Sequence, residues 1–218
     1  MVIFDCNGVL VDSEPLATAI VSQEFMRAGI PLTPDVIARY FTGRSPADMF
    51  TQVEAATGCR LPRDFAGKVA GMIIRRFRSE LRATAHAAHA LSWLRGPKCV
   101  ASSSSHERIR VSLESTGLIQ FFEPNLFSAS DISRGKPAPD LFLHAAGKLG
   151  VRPGECIVVE DSTVGVTAGI AAGMTVIGFV GASHAGSQVS GELRSAGAHA
   201  VISDLRALKG AIIDLRGW

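Results

Sequence analysis

Short apolar runs alternate with longer amphipathic stretches along most of the 218-residue chain. The apolar runs are rich in β-branched residues and lie at 2–4, 98–101, 126–128, 156–159, 175–178 and 200–202. Between them, apolar residues recur at helical spacing at 106–117, 139–149, 162–172 and 187–196. Strands that alternate with helices are typical of a parallel sheet covered by helices on both faces. We therefore predict an α/β fold built on a doubly wound parallel sheet.

Glycine marks the predicted ends of these helices. Gly117, Gly150, Gly173 and Gly197 each come just before the next strand or the residues that lead into it. Glycine is a common helix stop because it adopts the left-handed backbone conformation without strain.

Residues 15–84 break this alternation, because they show helical periodicity and contain no convincing strand. The predicted helices, each with a proline at or near its start, cover 16–28, 34–41, 46–57 and 62–81. Proline is best tolerated in the first turn of a helix. A segment of this length is too long for a simple connection between two strands. We predict a helical subdomain at 15–84, inserted into an α/β core formed by 1–14 and 85–218.

Polar and charged residues follow several of the predicted strands. They are Asp5, Asn7 and Gly8 after the first strand, Ser102, Ser103 and Ser104 after the second, and Glu160 and Asp161 after the fourth. Lys136 lies in a proline-containing loop before a helix. In open α/β sheets, ligands bind beyond the carboxyl ends of the strands. We therefore expect these side chains to gather at one edge of the sheet.

This set of residues suits phosphoryl transfer. Clustered carboxylates favour a divalent cation, and oxygen ligands without His or Cys favour Mg²⁺. Backbone N–H groups, Ser and Lys bind a phosphate, and an Asp that faces the phosphorus can act as the nucleophile. Each residue alone also fits a structural role, such as a helix cap for Asp161 or a turn for the serines. Their joint occurrence at successive strand ends favours the site.

Composition and charge exclude several function classes. The net charge of +2 gives no electrostatic reason to expect a nucleic-acid or membrane partner. No apolar stretch is long enough for a membrane helix, and no basic region leads into an apolar segment at the N-terminus. The four cysteines are far apart, and three of them lie in or beside predicted strands as small buried hydrophobes. We expect a cytoplasmic protein.

Four short segments resemble the motifs of the haloacid dehalogenase superfamily. They are Asp5-Cys6-Asn7-Gly8-Val9, Cys99-Val100-Ala101-Ser102, Lys136-Pro137-Ala138-Pro139-Asp140 and Glu160-Asp161-Ser162. The chain is similar to the subgroup that contains β-phosphoglucomutase and small sugar-phosphate phosphatases. The resemblance implies a Rossmann-like core with a helical cap at 15–84, a Mg²⁺ cofactor and an aspartyl-phosphate intermediate. It further implies a monomer that acts on a small phosphorylated metabolite.

The resemblance also implies roles for individual residues. Asp5 would be the nucleophile and a Mg²⁺ ligand, and Asn7 would contribute its backbone carbonyl to the metal. Asp161 and Glu160 would complete the protein's share of the ligands. The expected phosphate-binding residues are Gly8, Ser102, Ser103, Ser104 and Lys136. The loop with Gly43, Arg44 and Ser45 would recognise the substrate.

Two departures from the family pattern leave alternatives open. Pro46 follows Ser45 where the mutases carry an Arg, which favours a phosphatase over a β-phosphoglucomutase-like isomerase. Asn7 replaces the Asp that serves as general acid and base, and an amide does not exchange protons near neutral pH. The sequence does not distinguish an asparagine that the gene encodes from one that was engineered in place of an aspartate. A slow phosphatase is our main prediction; the alternatives are the isomerase, a 2-haloacid dehalogenase and a non-catalytic phosphometabolite-binding protein.

Overall fold

A computed structural model describes residues 1–41, 46–183, 185–186 and 188–217. Its six strands form one sheet in the order β3-β2-β1-β4-β5-β6, and all neighbours are parallel. The strands are β1 (Val2–Phe4), β2 (Lys98–Ser102), β3 (Leu126–Ser128), β4 (Ile157–Glu160), β5 (Thr175–Phe179) and β6 (Ala200–Ile202). This arrangement confirms the predicted α/β, Rossmann-like fold.

Successive side chains of the central strands point into two different hydrophobic clusters. Phe4 and Val100 belong to the larger cluster, whereas Ile3, Cys99 and Val158 belong to the other. Both clusters are buried, so the central strands carry apolar residues continuously instead of alternating with polar ones. Helices cover both faces of the sheet, as predicted.

The core helices lie between or after the strands. They are α5 (Ala87–Trp93), α6 (His106–Ser115), α7 (Asp140–Lys148), α8 (Thr163–Ala171), α9 (Val189–Ser195) and α10 (Leu208–Arg216). The glycines predicted to end four of these helices have positive φ angles. The helical pattern predicted α6 to α9, but α5 and α10 were not predicted.

Four further helices separate β1 from β2. They are α1 (Glu14–Arg27), α2 (Pro34–Phe41), α3 (Pro46–Thr57) and α4 (Phe65–Glu80). Phe25, Phe50 and Phe65 pack together with ring centroids 5.1–5.9 Å apart and form the centre of this helical block. The division into a core (1–14 and 85–218) and a cap (15–84) remains our proposal.

The chain enters and leaves the helical block through two adjacent segments. The Asp12 amide donates to the Arg82 carbonyl at 3.0 Å, and the Thr84 amide donates to the Leu10 carbonyl at 2.9 Å. Val11 forms an antiparallel bridge with Ala83. These bonds hold the two connections side by side, next to the end of β1.

The predicted burial of the strand cysteines is confirmed, because Cys6, Cys99 and Cys156 are buried and their thiols are free. Cys59 is exposed. Among the described residues, no helix combines the length and apolar character needed to cross a bilayer.

Candidate active site

The polar residues predicted at the strand ends come together at one edge of the sheet. Strand β1 lies between β2 and β4, so the carboxyl ends of these strands adjoin. A cavity of about 490 Å³ lies at this edge. The predicted site residues on its wall are Asp5, Asn7, Ser102, Ser103, Ser104 and Asp161. Residues far apart in the sequence therefore share one site.

A tight turn after β1 places Asp5 and Asn7 at the cavity. The Asp5 amide continues the sheet ladder by donating to the Val159 carbonyl at 3.0 Å. Gly8 then takes a φ of 75°, and its amide donates to the Val11 carbonyl at 2.8 Å. A residue with a Cβ would be strained at this φ, which explains the glycine.

Lys136 links two carboxylates beneath the cavity. Its Nζ lies 2.6 Å from Oδ1 of Asp5, 2.5 Å from Oε1 of Glu160 and 3.2 Å from the Ala101 carbonyl oxygen. Burial lowers the pKa of Lys136, but the two carboxylates raise it more, so the pKa lies above its ordinary value. Lys136 therefore stays charged and fixes the orientation of Asp5.

The site carries more negative than positive charge. Burial raises the pKa of Asp5 to about 8; Lys136 opposes this rise, and the Glu160 and Asp161 carboxylates add to it. Lys136 pairs with the Asp5 and Glu160 carboxylates, and the Asp161 carboxylate brings a third negative charge close to Asp5. A bound cation would relieve this repulsion.

Glu160 is held by hydrogen bonds at both of its oxygens. Oε1 accepts from Lys136, and Oε2 accepts from the amides of Asp161 at 3.0 Å and Ser162 at 3.1 Å. The Ser162 hydroxyl also donates to Oε2, at 2.9 Å, and accepts from the Gly165 amide at 3.1 Å as the N-cap of α8. Glu160 therefore connects Lys136 to the start of α8. Its role as a metal ligand remains a prediction.

The oxygen donors on the cavity wall fit a Mg²⁺ ion. Asp5 and Asp161 lie on the wall, and neither His nor Cys accompanies them there among the described residues. The described chain contains no cluster of three or more His, Cys, Asp or Glu side chains positioned to hold a metal. Mg²⁺ commonly binds through one or two carboxylates and completes its shell with water and substrate phosphate. The donor set thus suits Mg²⁺ bound together with a phosphate.

The loop after β2 presents serine hydroxyls and amides to the cavity. Ser102 accepts a hydrogen bond at Oγ from the Ser104 amide at 3.3 Å. The Ser128 hydroxyl donates to the Ser104 carbonyl at 2.7 Å, and Ser105 caps α6 by accepting from the Arg108 amide. These bonds fix the loop from both sides, so its polar groups are held in place before a ligand binds.

Asn7 is attached to this serine loop. Its Nδ2 donates to Oγ of Ser104 at 2.9 Å. Its Oδ1 is buried and accepts no hydrogen bond from the described residues. The Asn7 side-chain amide therefore helps to hold the serine loop through Nδ2, and its oxygen remains available as an acceptor for a ligand or water.

Several predicted residues do not lie on the described wall of the cavity. Gly8 belongs to the turn, whereas Lys136 and Glu160 are buried and reach the site through Asp5 and α8. The substrate-reading loop with Gly43, Arg44 and Ser45 lies outside the described residues.

The sequence interpretation missed Arg108, the only cationic side chain among the described residues of the cavity wall. Arg108 belongs to α6, three and four residues before Val111 and Ser112, which are both buried. Residues at this spacing share one face of a helix. A charged residue on a buried face is uncommon, but of these two neighbours only Val111 is apolar, so the sequence carried little signal of that burial.

Comparison with known proteins gives a consistent family assignment. Residues 1–173 match the model of the haloacid dehalogenase-like hydrolase family. The chain is 35% identical over 184 residues to the 6-phosphogluconate phosphatase of Escherichia coli K12, covering 84% of this chain and 83% of the relative.

Two solved structures extend this similarity to the fold. A conserved haloacid dehalogenase-like protein of unknown function from Agrobacterium tumefaciens C58 superposes with a TM-score of 0.85 at 37% identity, covering 99% of this chain and 98% of that one. A HAD family hydrolase from Deinococcus radiodurans R1, solved with bound phosphate and sodium, gives a TM-score of 0.77 at 30% identity and covers 98% and 94% of the two chains.

Proposed function

The chain is a phosphatase that belongs to the haloacid dehalogenase-like hydrolase family, and we propose that it hydrolyses a small sugar phosphate with Mg²⁺ and a phosphorylated Asp5 intermediate. One observation carries this proposal. Asp5 lies on the cavity wall with Oδ1 bonded to Lys136, and no described residue donates a hydrogen bond to its Oδ2. One carboxylate oxygen is thus oriented while the other is available to a ligand.

In the first step, the free oxygen of Asp5 attacks the phosphorus of the ester. A new bond forms between this oxygen and phosphorus, the bond to the leaving alcohol breaks, and the leaving oxygen takes up a proton. The serine loop at 102–104 supplies hydroxyls and amides to the phosphate oxygens, and Lys136 keeps Asp5 in position.

In the second step, water attacks the phosphorus of the phosphorylated aspartate. Its proton is lost, the bond between phosphorus and Asp5 breaks, and inorganic phosphate is released. An aspartate at position 7 would exchange protons in both steps, whereas Asn7 donates only a hydrogen bond. Protons therefore pass to and from solvent, and we expect turnover to be slow.

Asp5 and Asp161 on the cavity wall, with the backbone carbonyl of Asn7, would hold Mg²⁺. When bound, the ion offsets the negative charge of the carboxylates and of the transferring phosphate. Among the described residues at this edge of the sheet, the carboxylates of Asp5, Glu14, Glu160 and Asp161 outnumber the two cations, Lys136 and Arg108, which supports the assignment.

The substrate class is proposed from the relative. The E. coli protein is named a 6-phosphogluconate phosphatase and matches most of this chain. A cavity of about 490 Å³ is large enough for a small ligand of this kind. The absence of an Arg directly after Ser45 favours hydrolysis over isomerisation.

A phosphate-release assay on a panel of phosphomonoesters tests the proposal. The chain, the Asn7→Asp variant and the Asp5→Asn variant are compared with Mg²⁺ and with a chelator. We expect slow Mg²⁺-dependent hydrolysis by the chain, faster hydrolysis by Asn7→Asp and none by Asp5→Asn. Acid quenching followed by peptide mass spectrometry should find phosphate on the peptide that contains Asp5. No hydrolysis by either the chain or Asn7→Asp would refute the proposal.

A further inference from the structure

Arg108 places a guanidinium group at the cavity, and none of the described residues accepts a hydrogen bond from it. Its only side-chain partner among the described residues is the ring of Phe77 on α4, whose centroid lies 5.1 Å from Cζ. Its Nε is buried and makes no hydrogen bond within the part of the chain that the structure describes. Buried polar groups in proteins nearly always have a partner, so this guanidinium is positioned to receive one from a ligand.

No described carboxylate forms an ion pair with Arg108, although Glu14 lines the same cavity. Burial lowers the pKa of Arg108, while Glu14, Cys6 and Asp5 act in the opposite direction. None of these groups forms an ion pair with Arg108 in the described chain. The guanidinium remains charged at neutral pH because its ordinary pKa is above 12.

The remaining wall on the helical side of the cavity is mostly apolar. Residues from α1 to α4 on this wall include Val21, Ile37, Phe50, Val69 and Ile73. Such a wall excludes water and strengthens any charge interaction made beside it. It offers no other cation among the described residues, so a negative group of the ligand would be drawn to Arg108.

We propose that Arg108 binds a carboxylate on the leaving group, so that the preferred substrates are phosphorylated sugar acids. This inference rests on the proposed function and assigns its specificity to one residue. The guanidinium provides two parallel N–H groups that match the two oxygens of a carboxylate. A carboxylate adds one negative charge beside Glu14 and Asp5, whereas a second phosphate would add up to about two.

The experiment compares ligands that differ only in the group opposite the phosphate. Calorimetry with Mg²⁺ measures the binding of 6-phosphogluconate and glucitol 6-phosphate, two open-chain ligands that share the phosphate and differ in having a carboxylate or a CH₂OH group at the opposite end. We expect 6-phosphogluconate to bind about 10–100-fold more tightly, because a charged hydrogen-bond pair contributes this much. Fructose 1,6-bisphosphate and fructose 6-phosphate form a second pair that tests for a second phosphate.

Three variants separate the possible roles of Arg108. Arg108→Met keeps an apolar side chain over Phe77 and should bring the affinity ratio of the first pair close to one. Arg108→Lys should keep part of the preference for 6-phosphogluconate, since it retains the charge but lacks the two parallel N–H groups. Arg110→Met changes an exposed arginine of the same helix, which pairs with Glu114 and Glu123, and should leave the ratio unchanged. Thermal melting confirms that each variant folds.

Other results would give Arg108 a different role or none. Equal affinity of the chain for the first pair, or an unchanged ratio in Arg108→Met, overturns the inference while leaving the phosphatase function intact. Equal weakening of both ligands would place Arg108 at the transferring phosphate instead, and a change confined to the bisphosphate pair would assign it to a second phosphate. If the chain binds neither sugar phosphate, the proposed function itself fails.

Discussion

The Glu160 carboxylate occupies the space beside Gly165 so closely that a Cβ at residue 165 would overlap it. Glu160 has little freedom to move away, because Lys136, two backbone amides and the Ser162 hydroxyl hold its oxygens. The glycine in α8 is therefore required by the buried charge network that orients Asp5.

Gly165→Ala should disrupt this network. The new methyl group must displace either the Glu160 carboxylate or the start of α8, which we expect to cost about 1–3 kcal/mol of stability. Phosphatase activity should fall by more than the loss of folded protein explains, because Lys136 loses the fixed Glu160 carboxylate as a partner. Urea unfolding and phosphate release measured on the same preparation check both effects.

Gly147→Ala is the matched control for this substitution. Gly147 also lies in a core helix, but nothing lies within 4 Å of a Cβ built there. Alanine should stabilise the protein by up to about 1 kcal/mol, since it favours the helix. Equal changes in stability and phosphate release in the two variants would show that the packing of Gly165 against Glu160 does not affect activity.

Glu160→Gln tests whether Glu160 positions Lys136 or binds Mg²⁺. The amide has one acceptor oxygen, so either Lys136 or the amides at the start of α8 lose their partner. If Glu160 is a positioning residue, kcat should fall about 10–100-fold while the Mg²⁺ concentration for half-maximal activity changes little.

Asp161→Asn provides the comparison for the metal. Asp161 lies on the cavity wall, so its amide variant should need more Mg²⁺ for activity and bind Mg²⁺ more weakly in calorimetry with phosphate present. Equal weakening of Mg²⁺ binding by both variants would instead make Glu160 a direct ligand, as the family resemblance implies.

The strands and the gathering of polar residues at one edge of the sheet could be predicted because they depend on local patterns. The buried strands form continuous apolar runs, and Asp5, Ser102 and Asp161 lie at their carboxyl ends, so parallel pairing alone brings these residues together. The partners of the Glu160 and Arg108 side chains depend on tertiary contacts instead. The packing of α8 decides whether Glu160 faces a metal or Lys136. No local sequence pattern predicts that Arg108 lies over Phe77.

The two missed helices illustrate a different limit. Helix α5 (Ala87–Trp93) is short and alanine-rich, so its periodicity is weak, and α10 (Leu208–Arg216) follows directly from a tight turn at 205–207. Both are stabilised by packing on the core through residues such as Leu91 and Leu208, which are buried. Tertiary packing, more than helix propensity, determines such elements.

Glu24→Gln should weaken the helical block in a pH-dependent manner. The buried Glu24 carboxylate pairs with Lys68 on α4 at 2.8 Å and with Arg27 on its own helix. Hydrogen bonds from Lys68 hold the pKa of Glu24 below its ordinary value, although burial opposes this and Arg27 adds to it. Because both cations are half exposed and screened, we expect a loss of about 1 kcal/mol at pH 7.

The sign of this pH dependence follows from the lowered pKa. The ionised carboxylate stabilises the fold at pH values above the ordinary glutamate pKa of about 4.3, and protonation removes this contribution as pH falls further. Urea unfolding of both proteins from pH 3 to pH 7 should therefore show a difference that shrinks below about pH 4. A constant difference across this range would mean that Glu24 acts through packing alone.

Asn7→Asp should raise turnover by about 10²–10⁴-fold, the usual contribution of a general acid and base. The hydrogen bond between residue 7 and Ser104 survives the change, because the Ser104 hydroxyl can donate to an aspartate as readily as it accepts from the amide. Substrate affinity should therefore change little while kcat rises. Steady-state kinetics on the sugar phosphate selected from the panel measures both values.

Residual activity of the unsubstituted chain needs its own control. Asn7 precedes Gly8, a sequence that deamidates spontaneously, so aged protein should contain a fraction with aspartate at position 7. Peptide mapping of residues 1–14 on fresh and aged samples measures this fraction, and phosphate release should rise in proportion to it. Activity that stays constant as the aspartate fraction grows would show that Asn7 itself supports turnover, with water as the proton source.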